Sequence, residues 1–459
     1  MPRRYSYALR CGECFAGAVP VLDDNIPSPW RARSTLVLTL SLVAVGLGNL
    51  QRLPYLIGEY GGGPFFLTYV LALCVLSVPV LIAEVVIGSL GRGSPGLALH
   101  WAASVANRDS RWRYLGVAQA LLALVFAAVA ALTAVWCLHV ATVLYSGQLA
   151  SASAIDVADA FMTYVASQPK QFAQTMTLLA AAAGVSALGS RVGMGLLAWI
   201  CLPAVAITLL GVLDFVFVYA DLRPVEGFLF SNQASDWRLD SLWQAVSAAG
   251  ITLGAGMGLG MALGAQAPTG LPWARSVLAV AVIDTTFLTI TAVIVTALFF
   301  ESNVAPVQGL AAIFVGLPYA FANLPLGESY GALFFGAMAL VTWSAAVVLL
   351  EPMVMLLSNE WRLGRVSGAI LSATLVVLLL AMILFFGDLP LLQVGSVSAR
   401  WLLPGSVLII ALFVGWLMPR PILRGELYRE PMWLFRLWWY VLRWLVPSAC
   451  IIWLLEGLL

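Results

Sequence analysis

Four polar side chains stand inside apolar runs of this chain and could do chemistry there. They are Asn49 in VGLGNLQR, Glu84 in VPVLIAEVVIG, Asp284 in AVAVIDTTFLT and Glu351 in VVLLEPMVM. A carboxylate surrounded by hydrocarbon needs a cation, a basic partner or a proton. Asn49 follows Gly46 and Gly48 and precedes Arg52 and Pro54, and three glycines run from Gly61 to Gly63. Backbone opened by such breakers would present carbonyls beside an amide oxygen, a set suited to a small hard cation such as sodium. Thr342 and Ser344 add hydroxyl oxygens further along. Asp284 is therefore expected to ligate sodium, Glu84 to support opened backbone, and Glu351 to hold a helix end. Asp214 has no assigned partner. Arg52, just beyond the first break, would pair with an external acid as a gate or reach toward the outer surface.

The elements that must position these groups are membrane spans. The 459 residues are 62% hydrophobic and 10% charged, against roughly 25% charged in soluble proteins, and the mean hydropathy is +0.96. With about 20 apolar residues needed per span, the runs 34–58, 63–90, 114–146, 172–190, 194–219, 241–266, 274–300, 329–357, 366–387, 401–418 and 433–456 predict eleven transmembrane helices. The loops that share a side with the N-terminus carry Arg92, Arg108, Arg111, Arg113, Arg191, Arg275, Arg362, Arg365, Arg420, Arg424 and Arg429. The opposite loops carry Asp156, Asp159, Asp221, Glu226, Asp236, Asp240, Glu301 and Glu328. The positive-inside rule then puts the N-terminus in the cytoplasm and, after eleven spans, the C-terminus outside. Residues 1–29 read as a cytoplasmic tail and not as a signal peptide, because no apolar core follows Arg3, Arg4 and Arg10.

Several chemistries are excluded. No GxxxxGK[ST] loop is present, which argues against an ATP-driven pump. Cys11 and Cys14 form a lone CxxC with no His near it, so zinc is not expected. Cys74, Cys137, Cys201 and Cys450 read as core filler, and His100 and His139 have no metal-like neighbours. Nothing suggests an enzyme or a nucleic-acid partner. Trp433, Trp438, Trp439 and Trp444 in the last span read as anchors at the membrane interface. The loop 303–328 reads as an external hairpin over a vestibule.

A second interrupted span matches the first. Glycines 250, 254, 256, 258, 260 and 264 crowd the sixth run. Close packing through small residues is the plain alternative, but a spacing of two follows no helix face. Broken spans in corresponding positions of two five-helix halves point to an inverted-repeat transporter with its site at mid-membrane.

Trp30-Arg-Ala-Arg33, Gly46-Leu-Gly-Asn49, Arg52-Leu-Pro54, Glu59-Tyr-Gly-Gly-Gly63, Tyr69 and Glu84 resemble the start of the neurotransmitter:sodium symporter family. The likeness continues through the glycine-rich sixth span, Asp284-Thr285, Leu350-Glu351-Pro352 and Tyr440-Val-Leu-Arg443. It implies an all-α, five-plus-five inverted-repeat fold of the leucine-transporter type, with residues 30–220 and 221–418 as the two repeats and 419–459 as an eleventh helix. It further implies alternating access in the inner (plasma) membrane, in contact with the lipid bilayer, as a monomer or weak homodimer. The cargo implied is a neutral, hydrophobic or aromatic amino acid moved with one or two Na+ ions.

Carried over by position, sodium would take oxygens from Leu42, Ala44, Val45, Asn49, Thr252, Gly254, Asp284, Val341 and Ser344. Ala345 stands where a second hydroxyl is usual. The substrate would lie against Ala44, Gly46, Phe126, Ala130, Leu253, Gly256, Leu259, Ser344 and Leu349. Gly46 matches carriers whose substrate brings its own carboxylate, while Ala130 replaces the family's carboxylate-binding tyrosine. Arg52 matches the external gate, with Asp388 as its nearest acid. The internal gate pair is absent, and Arg31 or Arg33 with Glu360 would substitute. Chloride dependence is not expected, because Gly250 and Leu288 replace polar ligands. Alternatives on the same fold are a proton-coupled or sodium-independent carrier of another small carboxylate, driven by Glu84 or Asp284, and a non-transporting sensor.

Overall fold

The structure, a computed structural model, describes residues 32–150, 152–231, 237–304, 309–386 and 391–456, and among these every regular element is a helix. Expectations for the tail 1–29, for Arg31 and for Asp388 lie outside the described residues, as does the side chain of Asn49.

The first span is α1 (Arg33–Ala44) and α2 (Leu47–Glu59), and the second is α3 (Gly63–Val75) continued by α4 (Ser77–Gly91). Then come α5 (Pro95–Val105), the 33-residue α6 (Arg113–Tyr145), the outer helix α7 (Ala154–Ala166), α8 (Gln168–Ala187), α9 (Gly195–Tyr219) and α10 (Arg223–Leu229). The second interrupted span is α11 (Leu239–Thr252) and α12 (Leu259–Gln266). It is followed by α13 (Trp273–Glu301), α14 (Leu317–Ala322), α15 (Gly327–Leu349), α16 (Glu351–Glu360), α17 (Arg365–Phe386), α18 (Leu391–Val397), α19 (Leu403–Leu412), α20 (Arg420–Glu426), α21 (Met432–Tyr440) and α22 (Val446–Glu456). Eight of the described stretches are long and apolar enough to cross a membrane. An eleven-span count also needs the two interrupted pairs and α8.

The two breaks have different local causes. At the first, Val45 leaves the helical region (φ −74°, ψ 56°) and Gly46 is extended (φ −99°, ψ 166°). At the second, Gly254, Gly256 and Gly258 have φ of +67°, +86° and +69°, a region that costs other residues about 1–2 kcal/mol each. Their spacing of two is thus a backbone requirement. The remaining glycines of the run serve close packing. A Cβ on Gly264 would lie 2.4 Å from the Val85 carbonyl oxygen of α4, and one on Gly260 2.7 Å from the Glu84 Cβ. Both readings of the glycine run therefore hold, each for different residues.

Buried polar ties lock the scaffold. Glu351 is fully buried and accepts from Arg365 Nη1 (2.9 Å) and Nη2 (2.7 Å) and from Gln266 Nε2 (2.7 Å), joining α16, α17 and the end of α12. Arg33 donates to Ser276 Oγ (2.9 Å) and the Arg275 carbonyl (2.8 Å), while Glu360 accepts from Ser94 (2.8 Å) and Arg113 (3.3 Å). The expected Arg33–Glu360 substitute pair is therefore corrected: each group is held on a different helix. The tryptophan expectation is corrected in half. Trp433 and Trp444 are exposed, but Trp438 and Trp439 are buried, and Trp438 Nε1 donates to the Pro79 carbonyl (3.0 Å). The described part of the outer hairpin packs inward, with Phe314 5.6 Å from the Trp136 ring of α6.

Trp453 of α22 closes over α11 where Gly250 has no side chain, and a Cβ there would lie 2.2 Å from the indole ring. Overpacking of this kind costs about 1–3 kcal/mol. Gly250→Ala should lower the thermal-unfolding midpoint in detergent, and adding Trp453→Phe should recover part of the loss. Equal midpoints for Gly250→Ala and the parent protein would refute this account of the contact.

Candidate functional site

A cavity of about 190 Å³ opens where the two breaks face each other, more than ten times the ~10–15 Å³ that one water requires. Four elements wall it. The first break contributes Val43, Ala44 and Gly46, α6 contributes Phe126, Val129, Ala130 and Thr133, the second break contributes Ile251, Thr252, Gly254 and Met257, and α15 contributes Thr342, Ala345 and Leu349. On α6 and α15 these positions recur every three to four residues, one face of each helix. Among the described residues no ionisable side chain lines the cavity, and the side-chain oxygens on its wall belong to threonines.

Of the residues expected to touch substrate, Ala44, Gly46, Phe126, Ala130 and Leu349 line this cavity. Leu253, Gly256, Leu259 and Ser344 do not, and here the expectation is corrected. Helix α11 runs through Thr252, so Ile251 and Thr252 present the last turn and Met257 follows between left-handed glycines. Gly256 backs onto α19, where a Cβ would meet Val407 at 2.7 Å. Ser344 donates to the Leu340 carbonyl (2.7 Å) and lies 3.3 Å from Cys201 Sγ, on the side of α15 that meets α9. Ile251, Met257, Val129, Thr133 and Ala345 were not anticipated as wall residues. The helical spacing of 126, 129, 130 and 133 was a usable signal, whereas the register inside a glycine-broken segment has no periodic one.

Asp284 is 1% exposed and lines a separate void of about 20 Å³ with Val45, Gly46, Leu288, Thr291 and Met338. A void of this size suits one water-sized particle. The C-terminal end of α1 points here with the partial negative charge of a helix end, and the Ala44 carbonyl already accepts one hydrogen bond, from Gly46 N (2.7 Å). Thr252 Oγ1 donates to the Ala248 carbonyl (2.8 Å) and lies 3.2 Å from Tyr69 Oη, keeping oxygen lone pairs at the same level. Gly254 has no side-chain oxygen, so of the two span-six positions only Thr252 offers one. Leu42 and Val341 are fully buried between α1 and α15. A carboxylate-bearing niche against the end of a broken helix fits a hard monovalent cation. Among the described residues no cluster of three His, Cys, Asp or Glu could hold another metal.

Glu84 is buried against the second break. Its Oε1 accepts from Gly256 N (3.0 Å) and Gly258 N (3.4 Å), and its Oε2 from Gly260 N (3.3 Å). Gln119 Nε2 lies 3.5 Å from Oε1 and donates to Ser406 Oγ (2.9 Å), which in turn donates to the Gly256 carbonyl (2.6 Å). The carboxylate thus occupies the N–H groups at the head of α12. The N-cap of α2 is Gly46, which has no side chain of its own to accept from the first N–H groups, and a helix N-terminus favours an anion. Arg52 of α2 donates to Gln244 Oε1 of α11, tying α2 of the first broken span to α11 of the second.

A family model described as the sodium:neurotransmitter symporter family matches residues 28–149. An uncharacterised sodium-dependent transporter of Bacillus subtilis, YhdH, is 25% identical over 94% of this chain and 98% of its own length. Another from Haemophilus influenzae is 25% identical over 76% of this chain and 78% of its own. The crystal structure of MhsT in complex with L-phenylalanine superposes with a TM-score of 0.82 at 25% identity, over 93% of this chain and 99% of that one.

Every group facing the Glu84 carboxylate is an N–H donor. Each buried donor left without an acceptor costs about 1–3 kcal/mol. Glu84→Ala should therefore destabilise the ligand-free protein by several kcal/mol in thermal unfolding. Glu84→Gln, which turns an NH2 toward donors, should also lose stability. A Glu84→Gln protein as stable as the parent would refute the need for a carboxylate that accepts from every facing donor.

Proposed function

We propose that this chain, a multi-pass membrane protein of the neurotransmitter:sodium symporter family and a sodium-dependent transporter, imports a neutral amino acid with an apolar or aromatic side chain. The observation that carries the reading is the cavity between the breaks, apolar on its walls and, among the described residues, lined by no ionisable side chain. A charged cargo side chain buried there without a partner would cost several kcal/mol, whereas an apolar one gains by leaving water. Ala130 and Ala345 face the cavity and leave room for a large side chain. L-phenylalanine in the related MhsT structure supports the same class.

In this reading the cargo carboxylate rests against the uncapped head of α2 at Gly46. Sodium is held beside it by Asp284, Asn49, Thr252 and the Ala44 carbonyl. Gly46 borders both the cavity and the Asp284 void, so cation and carboxylate lie against one another. Each then raises the other's affinity by the same factor, typically about 5- to 150-fold. A second sodium at the Leu42, Val45 and Val341 carbonyls would have one side-chain oxygen, from Ser344, since Ala345 supplies none. Arg52 closes the outer side through α11, and the arginine-rich loop ends face the cytoplasm.

The test is uptake into proteoliposomes at clamped pH. An inward sodium gradient should drive accumulation of L-leucine or L-phenylalanine, and replacement of sodium by choline should abolish it. Asp284→Ala should remove sodium stimulation, with at least a tenfold loss of uptake. Uptake that proceeds equally in choline would overturn sodium coupling.

A further inference from the structure

We propose that Arg420 and Arg443 bind the phosphate of an anionic phospholipid, in the leaflet on the arginine-rich side of the membrane. The place is the seam where the π-turn Phe413–Leu417, after α19, meets the π-turn Val441–Leu445, after α21. The two backbones approach closely, and a Cβ on Gly415 would lie 3.1 Å from Arg443 Cα. The Arg443 guanidinium carbon is 4.0, 4.8 and 5.7 Å from the ring centroids of Trp416, Trp439 and Trp444. Arg420 lies over the same Trp439 ring at 3.5 Å. Two cations are thus held against one indole. Aromatic faces attract them but cancel no charge. Among the described residues neither guanidinium has a carboxylate partner or a hydrogen-bond acceptor. The Arg443 Nε is sealed beneath the rings, while its two terminal nitrogens stay accessible, and Arg420 is exposed.

Other arginines of this side are spent inside the protein. Arg275 pairs with Glu430 (3.5 Å), Arg365 pairs with Glu351 (2.7 Å), and Arg424 donates to the carbonyls of Leu427 (2.9 Å) and Glu430 (2.8 Å). Glu426, on the same helix as Arg420, accepts from Ser89 and Trp273 instead. Two unneutralised guanidiniums against one ring repel each other, and an anion shared by both removes that cost. The depth suits a lipid headgroup. Arg420 stands just past the apolar stretch Gln393–Leu417, so its contact sets Trp439 at the edge of the hydrocarbon. Arg443 is one turn deeper, and its guanidinium reaches back over Trp439, as arginines do near the ends of spans. Trp416 and Trp444 are exposed beside it on apolar spans, so acyl chains find a wall where the phosphate finds its cations.

The test is native mass spectrometry of the full chain in detergent, titrated with palmitoyl-oleoyl phosphatidylglycerol or with phosphatidylcholine bearing the same chains. Phosphatidylglycerol should bind more tightly by about tenfold or more. Arg420→Gln and Arg443→Gln should each weaken it about fivefold, the worth of one arginine near a membrane surface. Arg420→Lys, which keeps the charge, should stay within about twofold of the parent. Arg108→Gln, which removes an exposed arginine of the same side from a different loop, should change nothing. Arg420 is exposed, so Arg420→Gln carries the test by itself if Arg443→Gln does not fold. Equal affinity for the two lipids overturns the inference. So does unchanged phosphatidylglycerol binding in Arg420→Gln, or an equal loss in Arg108→Gln. Displacement of the lipid by inorganic phosphate would assign the two arginines to a soluble anion and overturn the lipid as occupant.

Discussion

Backbone that leaves the helix inside a membrane must find partners for its N–H and C=O groups within the protein, because lipid offers none. The centre of this molecule is arranged around that requirement. The second break exposes successive N–H groups at Gly256, Gly258 and Gly260, and one carboxylate, Glu84, accepts from all three. Gln119 and Ser406 complete the set from α6 and α19. The second break and α6 thus meet on a single acid of α4, with α19 joined through Ser406 to Gln119 and Gly256, and α12 fits against α4 because the glycines there leave no side chain in the way.

That arrangement makes the two broken spans unequal. The head of α12 is occupied by an internal anion, whereas the head of α2 has no side-chain cap. In the proposed mechanism an external carboxylate meets one helix end, next to the void that holds Asp284. Sodium and cargo in the proposed mechanism share a border at Gly46, a position with no side chain to separate them. Coupling then follows from adjacency, with no need for a long path through the protein. Arg52 of α2 and Gln244 of α11 join the same two spans by a hydrogen bond.

The walls of the cavity are set by packing, not by charge. Alanines at 130 and 345 widen it, Phe126, Ile251, Met257 and Leu349 supply apolar surface, and three threonines supply the polar atoms. Polarity is low enough that each hydroxyl matters, and the direction in which each one points decides its value. Ser344 shows the contrast: one position from Ala345, it turns to its own helix and to Cys201.

The membrane class, the two interrupted spans and the rare carboxylates at 84, 284 and 351 were all legible in the sequence, because bilayer thickness and the cost of buried charge act on composition and spacing directly. The family resemblance likewise placed Phe126, Ala130 and Leu349 against the substrate. The tertiary structure alone decided which residues of the glycine-rich segment face the cavity. Left-handed glycines at 254, 256 and 258 abolish the period from which a register could be read, and so Ile251, Thr252 and Met257 replace Leu253, Gly256 and Leu259. It alone separated Arg33 from Glu360, and Trp438 from the membrane surface, since pairing depends on how helices cross and not on what they carry.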